Sequence, residues 1–235
     1  LDQRIFLAST SDGRRFEIDE TFSLDPDPDQ YRTNAYYPNT NQMMYAWRDP
    51  YIFKDPISGK YYLFICAGGE RWGAPPSIGV AESDSVCGPY RLLPPAAVSI
   101  FQGADAADSV PVWEMERVQV IYRNGMYYMM FSVWEHFMDD FWKTTVLQNK
   151  AALSGSAAVV LGSKSFTGPC RFDETSFILG KPPGRNLYGA IIVPSPDPAV
   201  PDFVAGWYPE SFKPEVSSDI GIDWENAAFK SRSFK

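Results

Sequence analysis

The sequence has few of the residues on which metal and redox sites depend. Among 235 residues it contains three cysteines, Cys66, Cys87 and Cys170, and a single histidine, His136. The cysteines are widely spaced and form no Cys-x-x-Cys pair, so nothing supports a zinc site or a thioredoxin-like centre. The three cysteines could form one disulfide and leave one free thiol, or all three could be buried thiols; the sequence leaves both alternatives open. One histidine excludes multi-histidine metal sites and argues against a Ser-His-Asp triad.

The chain also lacks an excess of positive charge and any long apolar run. Its 21 Lys and Arg residues stand against 29 Asp and Glu residues, which gives a net charge of −8. Nucleic acids and anionic membrane surfaces are bound through cationic patches. No apolar stretch approaches the roughly 20 residues that a membrane-spanning helix needs. We therefore expect neither nucleic acid nor membrane among the partners.

Aromatic residues, proline and glycine are abundant instead. Aromatic residues make up 15% of the chain, hydrophobic residues 45%, and there are 20 prolines and 17 glycines. This composition is typical of an all-β chain with many turns. Residues 4–16 predict a strand, a turn at Asp12-Gly13 and a second strand. The chain begins at Leu1 with no visible signal peptide, and we expect that other material precedes it.

Two segments of the sequence repeat one pattern. Residues 49–64 read DPYIFKDPISGKYYLF, and residues 116–131 read ERVQVIYRNGMYYMMF. Each has an acidic residue, an apolar strand, a glycine turn and a tyrosine-rich strand. Asn124-Gly125 in the second segment predicts a type I′ hairpin, which needs positive φ at both central residues.

The repeat continues beyond these hairpins. Residues 78–90 and 158–170 are similar to each other and predict a further pair of strands in each unit. A third unit begins near Tyr188. Four strands per unit of this length predict the blades of a β-propeller, although a β-sandwich with similar hairpins is an alternative.

The propeller hypothesis brings distant residues together. The innermost strands of a propeller line its central channel. Blades starting near 49, 116 and 188 would place Asp49, Glu116 and Tyr188 around one pocket. We expect residues 1–235 to form one partial propeller domain, with residues 1–30 as a fragment of a preceding blade. Three blades are fewer than the roughly 4–8 that close a propeller, so we expect other material to complete it.

Two carboxylates at one pocket suggest glycosyl transfer. One of them stays ionised, and the other has a raised pKa and acts as general acid and base. Asp49 could instead be a turn residue before Pro50, and Glu116 could form an ordinary surface ion pair with Arg117. Tryptophan precedes both acids, and its ring can stack on a sugar or simply pack in the core.

Several motifs together resemble one family. Residues 47–53, WRDPYIF, are similar to the Arg-Asp-Pro motif of the levansucrase and inulosucrase family, glycoside hydrolase family 68. Residues 114–117, EMER, resemble its Glu-x-Glu-Arg motif. Residues 188–194, YGAIIVP, stand where the family has Tyr-Ser-His-x-x-Val-Pro. The resemblance runs from about residue 30 to about residue 210.

The resemblance implies a five-bladed propeller that cleaves sucrose. The fructosyl unit would pass through a covalent intermediate to water or to a growing fructan. Asp49 matches the transition-state stabiliser, and Glu116 matches the general acid/base. The remaining candidates are expected to bind substrate or support the acids: Arg48, Glu114, Arg117, Tyr188, Trp47 and Trp134.

The sequence also departs from the family. The family nucleophile is an aspartate in a Trp-Asp motif far upstream of Arg-Asp-Pro, and this sequence has no counterpart. Ile65 stands where the family often has glutamate, Trp134 where it has histidine or arginine, and Gly189-Ala190 where it has Ser-His. These changes fall on the positions that hold the sugar, so they bear on which substrate is used.

We therefore expect the C-terminal chain of a retaining fructosyl-transferring or sucrose-hydrolysing enzyme. A missing segment or a second chain would carry the nucleophile and the N-terminal blades. A non-catalytic, lectin-like propeller and a related five-bladed glycosidase for arabinose- or galactose-type sugars are alternatives. No cofactor is expected, although acidic residues could hold a structural calcium: Asp105, Asp108, Asp139 and Asp140. The resemblance implies an extracellular or secretory location.

Overall fold

The computed structural model describes much of the chain as β-structure. The described residues are 3–27, 30–31, 34–37, 42–67, 77–98, 112, 114–138, 156–166, 177–179, 188–197, 199–207, 214–226 and 228–231. They form sixteen strands and one 3₁₀ turn, Glu135–Phe137. Within these ranges, no helix has the length and apolar character required to cross a bilayer.

Two short hairpins come first along the chain. They are β1 (Leu7–Ser9) with β2 (Glu17–Asp19), and β3 (Asn34–Tyr37) with β4 (Gln42–Tyr45). The predicted turn at Asp12-Gly13 lies between β1 and β2. There the Asp12 side chain accepts hydrogen bonds from the backbone N–H groups of Arg14 and Arg15, and Gly13 has a φ of 69°.

Three four-stranded antiparallel sheets follow, and we call them blades 1, 2 and 3. Blade 1 contains β5 (Trp47–Lys54), β6 (Tyr61–Ala67), β7 (Ser77–Ser83) and β8 (Arg91–Val98). Blade 2 contains β9 (Glu116–Arg123), β10 (Met126–Trp134), β11 (Ser156–Ser163) and β12 (Phe177–Leu179). Blade 3 contains β13 (Tyr188–Val193), β14 (Phe203–Trp207), β15 (Pro214–Asp223) and β16 (Ala228–Ser231).

The sheets confirm the all-β repeat expected from the sequence. Each blade is a meander whose strands pair in chain order, with its first strand at one edge. The innermost strands β5, β9 and β13 lie next to one another. Asn124 and Gly125 join β9 to β10 with φ values of 53° and 79°, as the type I′ turn requires.

Stacking of the blades buries both faces of their central strands. In β10, Tyr127, Met129, Phe131 and Val133 pack against blade 1, whereas Tyr128 and Met130 pack against blade 3. This alternation follows from the two-residue period of a strand. It explains why the sequence MYYMMFSVW is apolar almost throughout: each face of the strand meets a neighbouring sheet.

The segment before blade 1 covers that blade's other face. Leu24 and Tyr31 pack with Trp47, Leu63 and Ile65 in a core cluster of their own. The Tyr31 hydroxyl accepts a hydrogen bond of 3.1 Å from the Val80 backbone N–H, and burial raises the pKa of Tyr31 to about 12. The residues preceding blade 1 therefore occupy the place of a neighbouring blade.

Gln119 ties blade 2 to blade 3 in a buried position. Its amide nitrogen donates to the Ile192 carbonyl at 2.9 Å, and its amide oxygen accepts from the Ile192 N–H at 2.6 Å. The side chain thus makes both hydrogen bonds that a paired strand would make to Ile192. This clasp fixes the position of β13 relative to β9, and both strands carry candidate site residues.

The two cysteines within the described ranges are free thiols. Cys66 is buried and Cys87 is exposed. Burial raises the pKa of the Cys66 thiol, so it stays protonated. Cys170 lies outside the described residues.

We predict that replacing Gln119 by leucine destabilises the protein by about 2 kcal/mol or more, because it leaves the buried N–H and C=O of Ile192 without partners. Chemical denaturation of the complete protein would measure this. The matched control is Gln30→Leu, which alters an exposed glutamine. Equal stability of the two variants would contradict a structural role for the Gln119 clasp.

Candidate active site

The innermost strand of every blade contains a β-bulge at the same place. In blade 1, Arg48 pairs with Cys66 and Tyr51 pairs with Phe64, so one extra residue lies in β5. In blade 2, Glu116 pairs with Ser132 and Gln119 pairs with Met130, so the extra residue lies in β9. In blade 3, it falls between the pairs of Tyr188 with Trp207 and Ile191 with Ala205.

These registers correct the alignment of the repeats. Arg48, Glu116 and Tyr188 occupy one position, immediately before the bulge. Asp49 is not the structural counterpart of Glu116 and Tyr188. Asp49 lies one position further along its strand, and its counterparts in blades 2 and 3 are Arg117 and Gly189. The candidate acids still approach each other, but they come from adjacent positions of neighbouring blades.

The bulge position has positive φ in all three blades. Asp49 has a φ of 54°, Arg117 one of 53° and Gly189 one of 59°. A residue with a side chain in this region costs about 1–2 kcal/mol relative to ordinary strand backbone. Such strained residues cluster at functional sites, because surrounding contacts must hold them in place.

Arg48 connects the acidic residues of two blades. Its guanidinium donates to Glu116 Oε1 at 3.0 Å, forms an ion pair with Glu114, and places Nε 3.9 Å from Asp49 Oδ2. The backbone N–H of Arg117 donates to Asp49 Oδ2 at 3.3 Å. The structure therefore gathers Asp49, Glu114 and Glu116 around one cation.

The three carboxylates differ in their access to solvent. The Glu114 side chain is 3% exposed, Glu116 12% and Asp49 24%. Glu114 is thus a buried partner of Arg48, whereas Asp49 and Glu116 are partly exposed to solvent. Only these two are placed to touch a bound molecule directly.

The surroundings of Glu116 favour its protonated form. Burial raises the pKa of Glu116, and the nearby negative charge of Asp49 raises it further. Arg48 and Arg117 oppose this shift, but the net direction is upward. The Tyr188 hydroxyl donates a hydrogen bond to Glu116 Oε2. The carboxyl is therefore held at both oxygens, by Arg48 on one and by Tyr188 on the other.

An aromatic wall stands beside Glu116. Trp134 stacks on Tyr188 with ring centroids 4.2 Å apart and an interplanar angle of 26°. Trp207 meets the Tyr188 ring edge-on at 5.5 Å. The Arg117 guanidinium lies over the Trp207 ring, 4.4 Å from its centroid. Trp134 and Trp207 are both partly exposed, so they can present apolar surface to a ligand.

Trp47 does not have the place expected of a sugar-binding residue. Its side chain is fully buried, and its ring packs on Tyr31 in the core. Its Nε1 donates to the Leu24 carbonyl at 2.7 Å. The reason is the alternation of β5: Trp47 points into the cluster beneath blade 1, whereas Arg48 points to the site. Trp113, the other tryptophan beside a motif, lies outside the described residues.

Two residues of the site lie outside the motifs identified in the sequence. Gln3 accepts a hydrogen bond of 3.0 Å from Arg48 Nη1 and so helps to hold the guanidinium. Trp207 pairs with Tyr188 across the blade 3 bulge. The position of Trp207, at the end of the second strand of the third repeat, could have indicated that it lies near the site. Nothing in the local sequence indicates Gln3.

The described ranges contain no group of three or more His, Cys, Asp or Glu side chains arranged to hold a metal ion. The acidic residues considered for calcium lie elsewhere in the chain: Asp105, Asp108, Asp139 and Asp140 fall outside the described residues.

Comparison of this architecture with solved structures finds carbohydrate-active enzymes. An inulosucrase from Halalkalicoccus jeotgali bound to kestose is 23% identical, with a TM-score of 0.53 over 86% of this chain and 48% of that one. A family 32 β-fructofuranosidase from Bombyx mori is 14% identical, with a TM-score of 0.54 over 86% of this chain and 36% of that one. A family 117 glycoside hydrolase from Zobellia galactanivorans is 13% identical, with a TM-score of 0.50 over 98% of this chain and 56% of that one.

These similarities establish the fold. The chain has the fold of a five-bladed β-propeller, of which it forms three four-stranded blades preceded by two short hairpins. It spans about half the length of the inulosucrase. The resemblance of the motifs to family 68 fits this neighbour. No protein-family model and no curated protein sequence matches the chain.

We predict that Glu116→Gln changes the pH dependence of stability. Because the pKa of Glu116 is raised by folding, its contribution to stability is complete below its unfolded pKa and is lost as pH rises through the folded pKa. The variant has no such loss. Its stability relative to the parent protein should therefore increase as the pH rises above about 4, the usual pKa of a glutamate in an unfolded chain.

Denaturation at a series of pH values would measure this difference, with Glu225→Gln, an exposed glutamate, as the control. A difference that stays constant or decreases toward neutral pH would contradict the raised pKa.

Proposed function

We propose that the protein to which these blades belong is a retaining glycoside hydrolase that transfers the fructosyl unit of sucrose or a related carbohydrate. The observation that carries the proposal is the gathering of Asp49 and Glu116 around Arg48, beside the bulges of two innermost strands. The motifs that provide these residues resemble the sucrose-cleaving family 68. The propeller fold shared with glycoside hydrolases agrees with this chemistry.

Glu116 is the general acid and base in this proposal. Its raised pKa favours the protonated form, which can donate to the oxygen of the leaving sugar. After that proton has left, the carboxylate can take one from the acceptor, which is water or a sugar hydroxyl. Arg48 and Tyr188 hold the carboxyl in place and restrict its rotation.

Asp49 is the transition-state stabiliser. It is the most exposed of the three carboxylates and stays within reach of the Arg117 backbone N–H. An ionised carboxylate here can bind fructosyl hydroxyls and favour the positive charge that develops on the sugar ring. Trp134, which is partly exposed and stacked on the buried Tyr188, provides apolar ring surface on the neighbouring side.

The nucleophile is supplied from outside these blades. We propose that it lies on the blades that complete the propeller, either in the same polypeptide or in a second chain. Retention of configuration requires its carboxyl group to lie about 5–5.5 Å from that of Glu116.

We predict that Asp49→Asn and Glu116→Gln each lower kcat for sucrose by about 100-fold or more in the complete protein, because each removes a group that acts in the transition state. Release of glucose measures the reaction. Asp84→Asn and Glu225→Gln are matched controls, since both alter exposed acids away from the site. Unchanged sucrose turnover in both Asp49→Asn and Glu116→Gln would contradict the proposal.

The same assay separates the proposal from its alternatives. Saturable binding of sucrose without release of glucose would identify a lectin-like propeller. Turnover of aryl arabinosides or galactosides but not of sucrose would identify a related glycosidase with another specificity.

We predict that the basic limb of the kcat/KM profile reports Glu116, because the general acid must be protonated to act. Arg48→Met removes a positive charge, so the pKa of Glu116 and the limb should move to higher pH. Asp49→Asn removes a negative charge and should move the limb to lower pH. Arg48→Lys keeps the charge and serves as the control. A limb that moves in the same direction in both variants would contradict the assignment.

A further inference from the structure

Trp207 occupies a position that the other blades fill differently. It pairs with Tyr188, as Cys66 pairs with Arg48 and Ser132 with Glu116. Cys66 and Ser132 are small and fully buried. Trp207 is large and partly exposed. Blade 3 therefore places an indole ring beside the acids, where blades 1 and 2 place a small side chain.

The absence of a side chain at Gly189 makes room for this ring. A Cβ on Gly189 would lie 2.4 Å from Cη2 and 2.5 Å from Cζ3 of Trp207. The equivalent residues Asp49 and Arg117 adopt almost the same positive φ with full side chains. Positive φ alone thus does not demand glycine at this position. Gly189 and Trp207 form a matched pair in which the ring takes the space of the missing side chain.

The Trp207 ring contacts two residues that act on Glu116. It lies edge-on to Tyr188, whose hydroxyl donates to Glu116 Oε2. Its face carries the guanidinium of Arg117, the residue that follows Glu116. Trp134 covers another part of the Tyr188 ring. Removal of Trp207 would leave Tyr188 with Trp134 as its aromatic neighbour on one side alone. It would also remove the ring on which the Arg117 guanidinium lies.

We infer that Trp207 is a positioning residue of the active site, which holds Tyr188 and Arg117 in the arrangement that sets the protonation and orientation of Glu116. This inference rests on the proposed function for its catalytic consequence. The geometric consequence for Glu116 is independent of the substrate.

The test uses Trp207→Leu and Trp207→Phe in the complete protein. The pKa of Glu116 is measured by NMR of its side-chain carboxyl carbon, with the signal assigned through Glu116→Gln. Loss of the Tyr188 hydrogen bond and of the nearby Arg117 charge disfavours the ionised form. We expect the leucine variant to raise this pKa, and the basic limb with it, by about half a unit. We expect kcat/KM for sucrose to fall about tenfold.

The phenylalanine variant keeps an aromatic ring and should restore most of both properties. Trp224→Leu is the matched control, because Trp224 also lies in blade 3 but packs on Tyr128 and donates to Asp202. It should lower stability and leave the pKa of Glu116 unchanged.

Three outcomes would overturn the inference: an unchanged pKa of Glu116 in folded Trp207 variants, an equal shift in Trp224→Leu, or no difference between leucine and phenylalanine. If the leucine variant does not fold, Trp207→Met, which also removes the ring but keeps a longer apolar side chain, takes its place under the same three criteria. Failure of both Asp49→Asn and Glu116→Gln to lower sucrose turnover would remove the proposed function, and the NMR titration would still decide the role of Trp207.

Discussion

The site depends on one extra residue in the first strand of each blade. In a regular strand, consecutive side chains point to opposite faces of the sheet. The bulge breaks this rule, so that Arg48 and Asp49 both approach the same group of side chains, as do Glu116 and the backbone N–H of Arg117. The positive φ that each bulge requires is unfavourable for Asp49 and Arg117. Packing of the blades on one another, with the Gln119 clasp between β9 and β13, supplies the contacts that hold this geometry.

Electrostatics within the site follow from a shortage of positive charge. Arg48 forms ion pairs with three carboxylates, while the Arg117 guanidinium lies over the Trp207 ring. Glu114 is the most buried acid and forms an ion pair with Arg48, so the cation cannot neutralise Glu116 fully. Burial and the charge of Asp49 then raise the pKa of Glu116. A site with unequal carboxylates of this kind can use one as an acid and another as a permanent anion.

The three blades use one scaffold for different purposes. At the position before the bulge, blade 1 has the cation Arg48, blade 2 the acid Glu116 and blade 3 the hydroxyl of Tyr188. The Glu116 side chain contacts both of the others. A repeated fold thus delivers three different functional groups to one point, because the innermost strands lie side by side. Glycoside hydrolysis needs such a set, with groups that bind, protonate and stabilise charge around one sugar.

Much of this organisation could be predicted from the residues. The repeated strand pattern predicted the blades, Asn124-Gly125 predicted its turn, and the motifs pointed to Asp49 and Glu116 as neighbours across the fold. The pairing of strands could not be read in the same way, since a bulge is defined by the partner strand and leaves no local pattern. The repeats therefore aligned Asp49 with Glu116, one residue away from the true register. The burial of Trp47 and the approach of Gln3 and Trp207 to the site likewise depend on which face each strand presents. The strand repeat and the acidic and basic residues of its motifs can be read from the amino-acid sequence. Which side chains meet emerges only in the folded chain, because it depends on strand register and on contacts between residues far apart in sequence.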